Sequence, residues 1–586
     1  MAEQLTNEQQ AAVDSRGRSL LVSAAAGSGK TKVLVERLFS YVECEGANLD
    51  DFLIITYTRA AASELRGKIA KALTERMERD PGNEHLRRQM LRVYRADIKT
   101  VDAFCTALLR ENCHLLGEDA RGHTLRPDFR VLDENDAQAL RERVLARTLD
   151  DFYDRLTPGG ALLADTLGAG RDDSALEALV LELHAKLQAQ PYEDKWLDAQ
   201  RALWSEVPDR IEKTPYGRIL LDEVRRKARH WQRLMQTAAQ EMTQNDALNQ
   251  KYAPAFLDVS YQLEALTAKA DEGWDAARGV SIAFPRLAPV KDSDGGELKT
   301  RMKALWDGCK AAVKGFGELL NASSGEAAED LRTMAPAMLA LIDLTADFSR
   351  RYNEEKRRRN SADFSDQEHE AIRLLIGEDG TPTELARTVS TRYREIMVDE
   401  YQDTNEVQNR IFDAISCKGE NLFTVGDVKQ SIYRFRLADP RIFLQHYNTW
   451  PPLAQAGEHE SAKLLLSRNF RSRKEVLEAT NFIFTNVLSA EMGELDYGED
   501  EMLRPGANYV PSDRCGAEFH LLDVPVQAGG QRVRASEAEA AFAADYIHDM
   551  LTSKFPVQDE KTRELRPVRE EDIVILMRSP STRLLG

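Results

Sequence analysis

The stretch Leu20–Leu38, LLVSAAAGSGKTKVLVERL, constrains this chain more than any other. A short apolar run ends in a loop bearing two glycines, and the residues beyond it place Val33, Leu34, Leu38 and Phe39 on one side of a helix. Gly27 and Gly29 allow backbone conformations that turn successive N–H groups toward phosphate oxygens, and the following helix adds its positive N-terminal end. Lys30 is then placed to reach the β- and γ-phosphates, and Thr31 to offer its hydroxyl to Mg²⁺. The first glycine of the general phosphate-loop pattern is Ala24 here, but the strand before and the helix after are both in place. The loop is therefore a candidate ATP site.

The same rhythm of apolar strand and helix recurs through FLIITY, IKTV, EIMVDE and NLFTVGD, which predicts an α/β fold built on a parallel sheet. From about Arg110 to Ser390 the pattern is mostly helical, so the simplest architecture is a helical domain inserted into one α/β domain. The expected divisions are 1–110 with 385–505 for that domain, 111–384 for the insert and 506–586 for the start of a second α/β unit. In that last part CGAEFHLLDVP and DIVILM read as strands, and SEAEAAFAADYIHDML reads as a helix opening on a Ser536–Glu539 capping box. A strand as apolar as DIVILM normally has helices on both faces, and none follows, so the expectation is the front part of a longer protein. The run Lys356 to Arg359 reads as a solvated helix face.

Composition is that of a globular chain, with 42% hydrophobic and 30% charged residues over 586 positions. A net charge of -18 argues against a uniformly basic nucleic-acid coat, yet leaves room for a local basic groove. The six cysteines stand apart with no CxxC pair, which speaks against a zinc or iron–sulfur site and for reduced thiols. No stretch approaches about 18 consecutive apolar residues and the N-terminus has no leader pattern, so the expectation is a cytoplasmic protein with no membrane partner.

A second feature joins the loop: EIMVDEYQDTN ends an apolar strand in Asp399-Glu400. One carboxylate can hold the Mg²⁺ shell while its neighbour accepts a proton from the attacking water. Alone, such a pair fits a solvated turn equally well; the upstream loop favours the catalytic reading.

The ordered set LTNEQQAAV, SAAAGSGKT, ITYTRAAASELRGKI, IKTVDAFC, MVDEYQDTN, TVGDVKQSIYRFRLADP and LSRNFRS resembles the motifs of superfamily 1 DNA helicases of the UvrD/Rep/PcrA type. The Ala24 variant of the loop fits that family better than the generic pattern. Within the group, the long helical insert and the segment SADFSDQEHEAIRLL resemble the AddA family of helicase/nucleases, with RecB next. The resemblance implies a RecA-like motor domain, an inserted helical domain and the beginning of a second motor domain. It also implies ATP and Mg²⁺ as cofactors, single-stranded DNA and double-stranded DNA ends as substrates, an AddB-type partner protein and 3′-to-5′ movement in double-strand break repair.

The roles it implies run along the motifs. Gln9 reads the adenine edge and Phe470 stacks on the base. Ala26, Gly27, Ser28, Gly29, Lys30 and Thr31 hold the phosphates, with Thr31 and Asp399 at the metal and Glu400 at the water. Gln430 senses the γ-phosphate and relays its state to the DNA groove, and Arg471 touches the γ-phosphate. The implied DNA track uses Tyr57, Thr58 and Arg59, then Thr100 and Phe104, then Tyr433, Phe435 and Arg436. Aromatic faces stack bases at about 1–3 kcal/mol each without regard to sequence, while hydroxyls and guanidinium groups hold phosphates. One of Tyr433 and Phe435 also fits a core position, because the two alternate like strand residues. Asp102, Ala60 and Lys32 depart from the repair-helicase pattern and are given no contact. The family closes its ATP site with an arginine from the second motor domain, so this chain is expected to bind Mg-ATP weakly, and single-stranded DNA, with little or no unwinding. The alternatives are a catalytically silent nucleotide- and DNA-binding fragment, or a RecB-like or plain UvrD-like repair helicase.

Overall fold

The computed structural model describes residues 5–577 except 119–120, 168–172, 417–418, 435–436, 513, 525–526, 529–530, 533 and 560–561. Two compact units are present: 1–131 with 360–586, and 132–359.

The first unit is built on strands that read as near-continuous apolar runs. Such runs belong to a parallel sheet covered on both faces, since neither side of the pleat is left to water. In chain order the elements are helix α1 (Asn7–Asp14), strand β1 (Leu20–Ala24), helix α2 (Lys30–Cys44), strand β2 (Phe52–Thr56), helix α3 (Arg59–Arg79), strand β3 (Asp97–Thr100) and helix α4 (Val101–Asn112). After the second unit come α5 (Phe364–Leu375), β4 (Glu395–Val398), α6 (Glu406–Ile415), β5 (Leu422–Gly426) and β6 (Ala462–Leu466). The sheet order is β3-β2-β4-β5-β1-β6, with every pairing parallel. Leu20 pairs with Phe423 on one side and Ala462 on the other, and Ile55 pairs with Val398. Leu20, Leu21, Val22, Phe52, Ile55, Ile396, Val398 and Phe423 are fully buried. The expected α/β class with a RecA-like parallel sheet is therefore present, and its carboxyl edge carries every loop that holds a motif.

One buried ion pair ties the helix after β1 to β4, two strands away in the sheet. Arg37 and Glu395 are 1% and 2% exposed, and Arg37 Nε donates to Glu395 Oε2 at 2.8 Å while a second guanidinium nitrogen donates to Oε1. Arg37 Nη1 donates to the Ala12 carbonyl, Tyr41 donates its hydroxyl to Glu395 at 3.1 Å, and the guanidinium lies 4.5 Å above the Phe423 ring. Neither charge is left without partners, which is the condition for keeping such a pair out of water.

The second unit is helical. Long helices Pro215–Met242 and Ala253–Glu272 pack around Met235, Phe256, Leu263, Met302 and Trp306, and the helix Ser324–Arg358 opens on a Ser323–Glu326 capping box. At its end the basic run departs from a wholly solvated face. Arg358 and Arg359 are exposed and pair with Glu355, whereas Lys356 is 1% exposed with its ammonium 4.0 Å above the Tyr352 ring. Residues four apart share a helix face, and the ring offers a cation a buried partner.

The helical unit spans a narrower range than the 111–384 read from periodicity. Helix α5 packs against α4 and α6, both in the α/β unit, and helical spacing carries no signal for which core a helix joins. Toward the C-terminus the helix Ala535–Thr552 forms, but Arg534 is its N-cap and Ser536 lies inside the first turn, so the expected capping box is not made. Among the described residues CGAEFHLLDVP and DIVILM join no sheet: Phe519 is 91% exposed and Leu576 is 90% exposed. A strand forms only against a neighbour that accepts its ladder hydrogen bonds, and none of the described strands pairs with either segment.

Removing one member of the buried pair strands the other. Arg37→Ala is expected to destabilise the chain by about 3–5 kcal/mol, and Arg37→Met with Glu395→Met to recover most of that, in denaturant unfolding followed by tryptophan fluorescence.

Candidate nucleotide and DNA site

The loop between β1 and α2 takes the shape that its glycines allow. Gly27 and Gly29 have φ of +67° and +86°, in the left-handed region. Ala24 is the last residue of β1, in register with Leu466, so the position of the generic first glycine is a strand position. Helix α2 begins at Lys30 with no side-chain cap, leaving its first-turn N–H groups toward the loop. Ser28 is 1% exposed, and its buried hydroxyl oxygen has no hydrogen-bond partner among the described residues. An uncapped helix start, two left-handed glycines and an orphaned hydroxyl in one loop fit a nucleotide phosphate chain with its Mg²⁺.

The carboxylates reach this loop from β4. Asp399 follows directly, its N–H donating to the Ile55 carbonyl at 3.0 Å, and its Oδ1 accepts from the Glu400 N–H at 3.0 Å. Burial, then the charge of Glu400, raise the Asp399 carboxyl to about 6. Glu400 has φ +53° and ψ +43°, a left-handed conformation uncommon for a residue with a side chain. The chain thereby reverses at the sheet edge and sends the Glu400 carboxylate back to Lys30, whose Nζ donates to Oε2 at 2.6 Å. Asp403 sits in the same turn, raised to about 6 by burial and by Glu400.

Three further segments converge on the loop. Gln9, 3% exposed, donates from Nε2 to the Ser28 carbonyl at 2.9 Å while its Oε1 accepts from the Thr6 N–H, closing the capping box of α1. The Phe470 N–H donates to the Gly27 carbonyl at 2.8 Å, and its ring lies where a side chain on Gly506 would stand. Arg471 is exposed beside Gly27. Past β5, Gln430 Nε2 donates to Asp427 Oδ2 at 2.7 Å. Gln9, Lys30, Asp399, Glu400, Phe470 and Arg471 thus gather around one loop, and Gln430 stands on the next strand end.

Asn469, to which the motif segment LSRNFRS assigns no role, holds the loop together. It is 2% exposed; Nδ2 donates to the Ala26 carbonyl at 2.6 Å, and Oδ1 accepts from the Arg471 and Ser472 N–H groups at 2.8 and 2.7 Å. A side chain on Gly27 would come within 2.7 Å of that Nδ2. In the sequence it stands inside the segment LSRNFRS, but nothing local marks that amide as the clamp of a loop 443 residues away.

The DNA-track residues divide. Thr58 caps α3 through the Ala61 N–H and is exposed beside exposed Arg59. Thr100 is buried and caps α4 through the Ala103 N–H. Phe104 is 4% exposed on the inner side of α4, so its ring packs in the interior and presents no face for a base. Its spacing from Val101, Cys105 and Leu108 is that of a core stripe. Tyr57 is half-buried and shares a hydrogen bond with the Thr404 hydroxyl, tying β2 to the turn after Glu400. Tyr433 is half-buried; Phe435 and Arg436 lie outside the described residues.

The segment SADFSDQEHE packs behind the site. Glu368 accepts from Gln408 Nε2 at 2.7 Å and from Asn405 Nδ2 at 3.3 Å, near Asp102. Burial first, then the Asp102 charge, hold its carboxyl above the usual carboxylate range. A carboxyl raised on folding favours the folded state most below its unfolded value, and that advantage is lost as pH rises through the folded value. Glu368→Gln, with no proton to lose, should therefore show a smaller fall in melting temperature than the parent between about pH 5 and pH 8. At the loop, Gly27→Ala is expected to weaken binding of a fluorescent ATP analogue at least about ten-fold, through both its positive φ and the clash with Asn469. Gly46→Ala is the control, since Gly46 is also left-handed but has nothing within 4 Å of the added carbon.

The sequence matches the UvrD/REP helicase N-terminal domain over residues 5–451. Among curated ATP-dependent helicase/nucleases it is 34% identical to the A-subunit from Ruminiclostridium cellulolyticum, 32% to that from Bacillus licheniformis and 33% to that from Acetivibrio thermocellus. Each alignment covers 98% of this chain and 47–49% of the relative, so the chain spans about half the length of these curated relatives. No helix among the described residues is long and apolar enough to cross a membrane. With the phosphate loop, the carboxylate turn and the remaining motif segments on adjoining strand ends, and the family's domain matched across most of the chain, the chain belongs to the UvrD/REP helicase family.

Proposed function

We propose that this chain carries the ATP-hydrolysing motor of a DNA translocase that moves 3′ to 5′ along single-stranded DNA. In the whole protein, motor and nuclease act with an AddB-type partner on double-strand ends during recombinational repair. The observation that carries the reading is the contact of Lys30 with Glu400: a phosphate-loop lysine and a strand-end carboxylate 2.6 Å apart, with Asp399 beside them. The relatives' name, which joins an ATP-dependent helicase to a nuclease, supports the wider assignment.

In this reading the loop N–H groups and Lys30 bind the phosphates, and Lys30 leaves Glu400 to do so. Mg²⁺, held by Thr31 and Asp399, supplies charge neutralisation for the phosphates when bound. The Glu400 carboxylate orients the attacking water and takes its proton. Gln9 turns its amide to the adenine edge, Phe470 stacks on the base and Arg471 lies over the terminal phosphate. Tyr57, Thr58, Arg59, Thr100 and Tyr433 serve the strand's path; Phe435 and Arg436, assigned to it by the family resemblance, lie outside the described residues. Phe104 is left out of that path because its ring is interior.

Single-turnover ATP hydrolysis with enzyme in excess, with and without single-stranded DNA, tests the reading. Lys30→Ala should abolish binding of the fluorescent ATP analogue. Glu400→Gln should keep that binding and lower the hydrolysis rate by about 10²-fold or more, the usual contribution of a positioned general base. Hydrolysis unchanged in Glu400→Gln would defeat the assignment.

A further inference from the structure

We propose that Gln402 is the positioning residue that holds Glu400 ready for its water and couples it to the Gln430 segment. The proposal rests on the reading of Glu400 as the residue that activates water. Gln402 is 2% exposed in the turn that follows Glu400. Its Nε2 donates to Glu400 Oε2 at 2.9 Å, and its Oε1 accepts from the Asp427 N–H at 2.8 Å. The geometry admits one orientation of the amide, because a carboxylate can only accept from it and a backbone N–H can only donate to it. Ser431 adds a third tie, its hydroxyl donating to the Gln402 carbonyl at 3.2 Å.

The partner on the far side is itself committed. Asp427 is 1% exposed, and its carboxylate accepts from Gln430 Nε2 at 2.7 Å and from Lys429 Nζ at 2.8 Å. A continuous chain of contacts therefore runs from Lys30 through Glu400, Gln402 and Asp427 to Gln430, joining the ends of β4 and β5. The room for it comes from Gly426: a side chain there would stand 2.5 Å from Gln402 Oε1 and 3.1 Å from the Gln402 nitrogen.

Lys30 and Gln402 both bind Oε2 of Glu400, so Oε1 is the oxygen left to take a proton. Lys30 cannot stay on Glu400 and also bind phosphate. Once it turns away, Gln402 is the side chain that still holds the carboxylate, against the freedom of a glutamate whose side chain is 41% exposed. A buried amide that satisfies a charged acceptor at one end and a strand-end N–H at the other is suited to this, because losing either bond strands a buried group. Asparagine is one methylene too short to span both, and glutamate has the size but, when ionised, no hydrogen to donate.

The test uses the full chain, with Gln402→Leu and the isosteric Gln402→Glu measured beside Glu400→Gln. At about pH 8 both Gln402 variants should hydrolyse bound ATP at least about ten-fold more slowly in single turnover, with analogue affinity within about two-fold of the parent at a temperature where each variant is folded. A misplaced reacting group of this kind costs rate and leaves binding intact. Parent-like rates in both Gln402 variants, while Glu400→Gln is slow, would overturn the role of Gln402 alone. Loss of analogue affinity in step with the loss of rate in both variants would overturn it in favour of a purely structural role. A parent-like rate in Glu400→Gln would remove the functional reading beneath it as well.

Discussion

Parallel pairing of β1 between β5 and β6 is the constraint on which the rest of the α/β unit depends. Parallel neighbours cannot be joined by tight turns, so each connection must cross back over a sheet face, and the strands end up covered on both sides. Every loop that leaves a strand then does so at the same edge. The phosphate loop, the Asp399–Asp403 turn, the Asp427–Gln430 turn and the Asn469–Arg471 segment are far apart in the chain but emerge side by side. The site is thus a consequence of strand order, with Arg37 and Glu395 holding α2 to the opposite end of β4.

What the sheet edge brings together is finished by side-chain amides. Gln9, Gln402, Gln430 and Asn469 each bond a backbone or carboxylate group of another motif or of their own turn. An amide both donates and accepts, so it can join a carbonyl or carboxylate on one segment to an N–H on another without adding charge to a crowded site. That matters where Asp399 and Asp403 are already raised toward neutrality by burial and by Glu400. The left-handed backbone of Glu400 belongs to the same arrangement: the reversal that sends its carboxylate to Lys30 also turns Gln402 inward beneath it.

Much of this was legible in the residues. The apolar runs around Leu20, Ile54, Met397 and Val425 announced a buried parallel sheet, and the glycines of the loop announced positive φ where Gly27 and Gly29 have it. Phe104 was less legible, because one ring suits both a stacking platform and a core stripe, and only burial separates them. Lys356 was hidden for the converse reason: a basic run reads as solvated until Tyr352 proves to lie beneath it. The helix Phe364–Leu375 could not be assigned to its unit from periodicity, since amphipathic spacing states that a face is buried and is silent on the partner.

The sequence by itself determined the kind of protein this is: an α/β phosphate-loop chain of the helicase family, with Lys30, Asp399 and Glu400 as the residues proposed for its chemistry. Local chemistry sufficed, because strand patterning, loop glycines and the types of the reactive side chains are written in consecutive positions. Only the tertiary structure decided that Asn469 clamps the loop, that Gln402 bridges Glu400 to Asp427, and that Phe104 is interior. Those facts depend on distances between segments tens or hundreds of residues apart, and such distances are set when the strands take their order in the sheet.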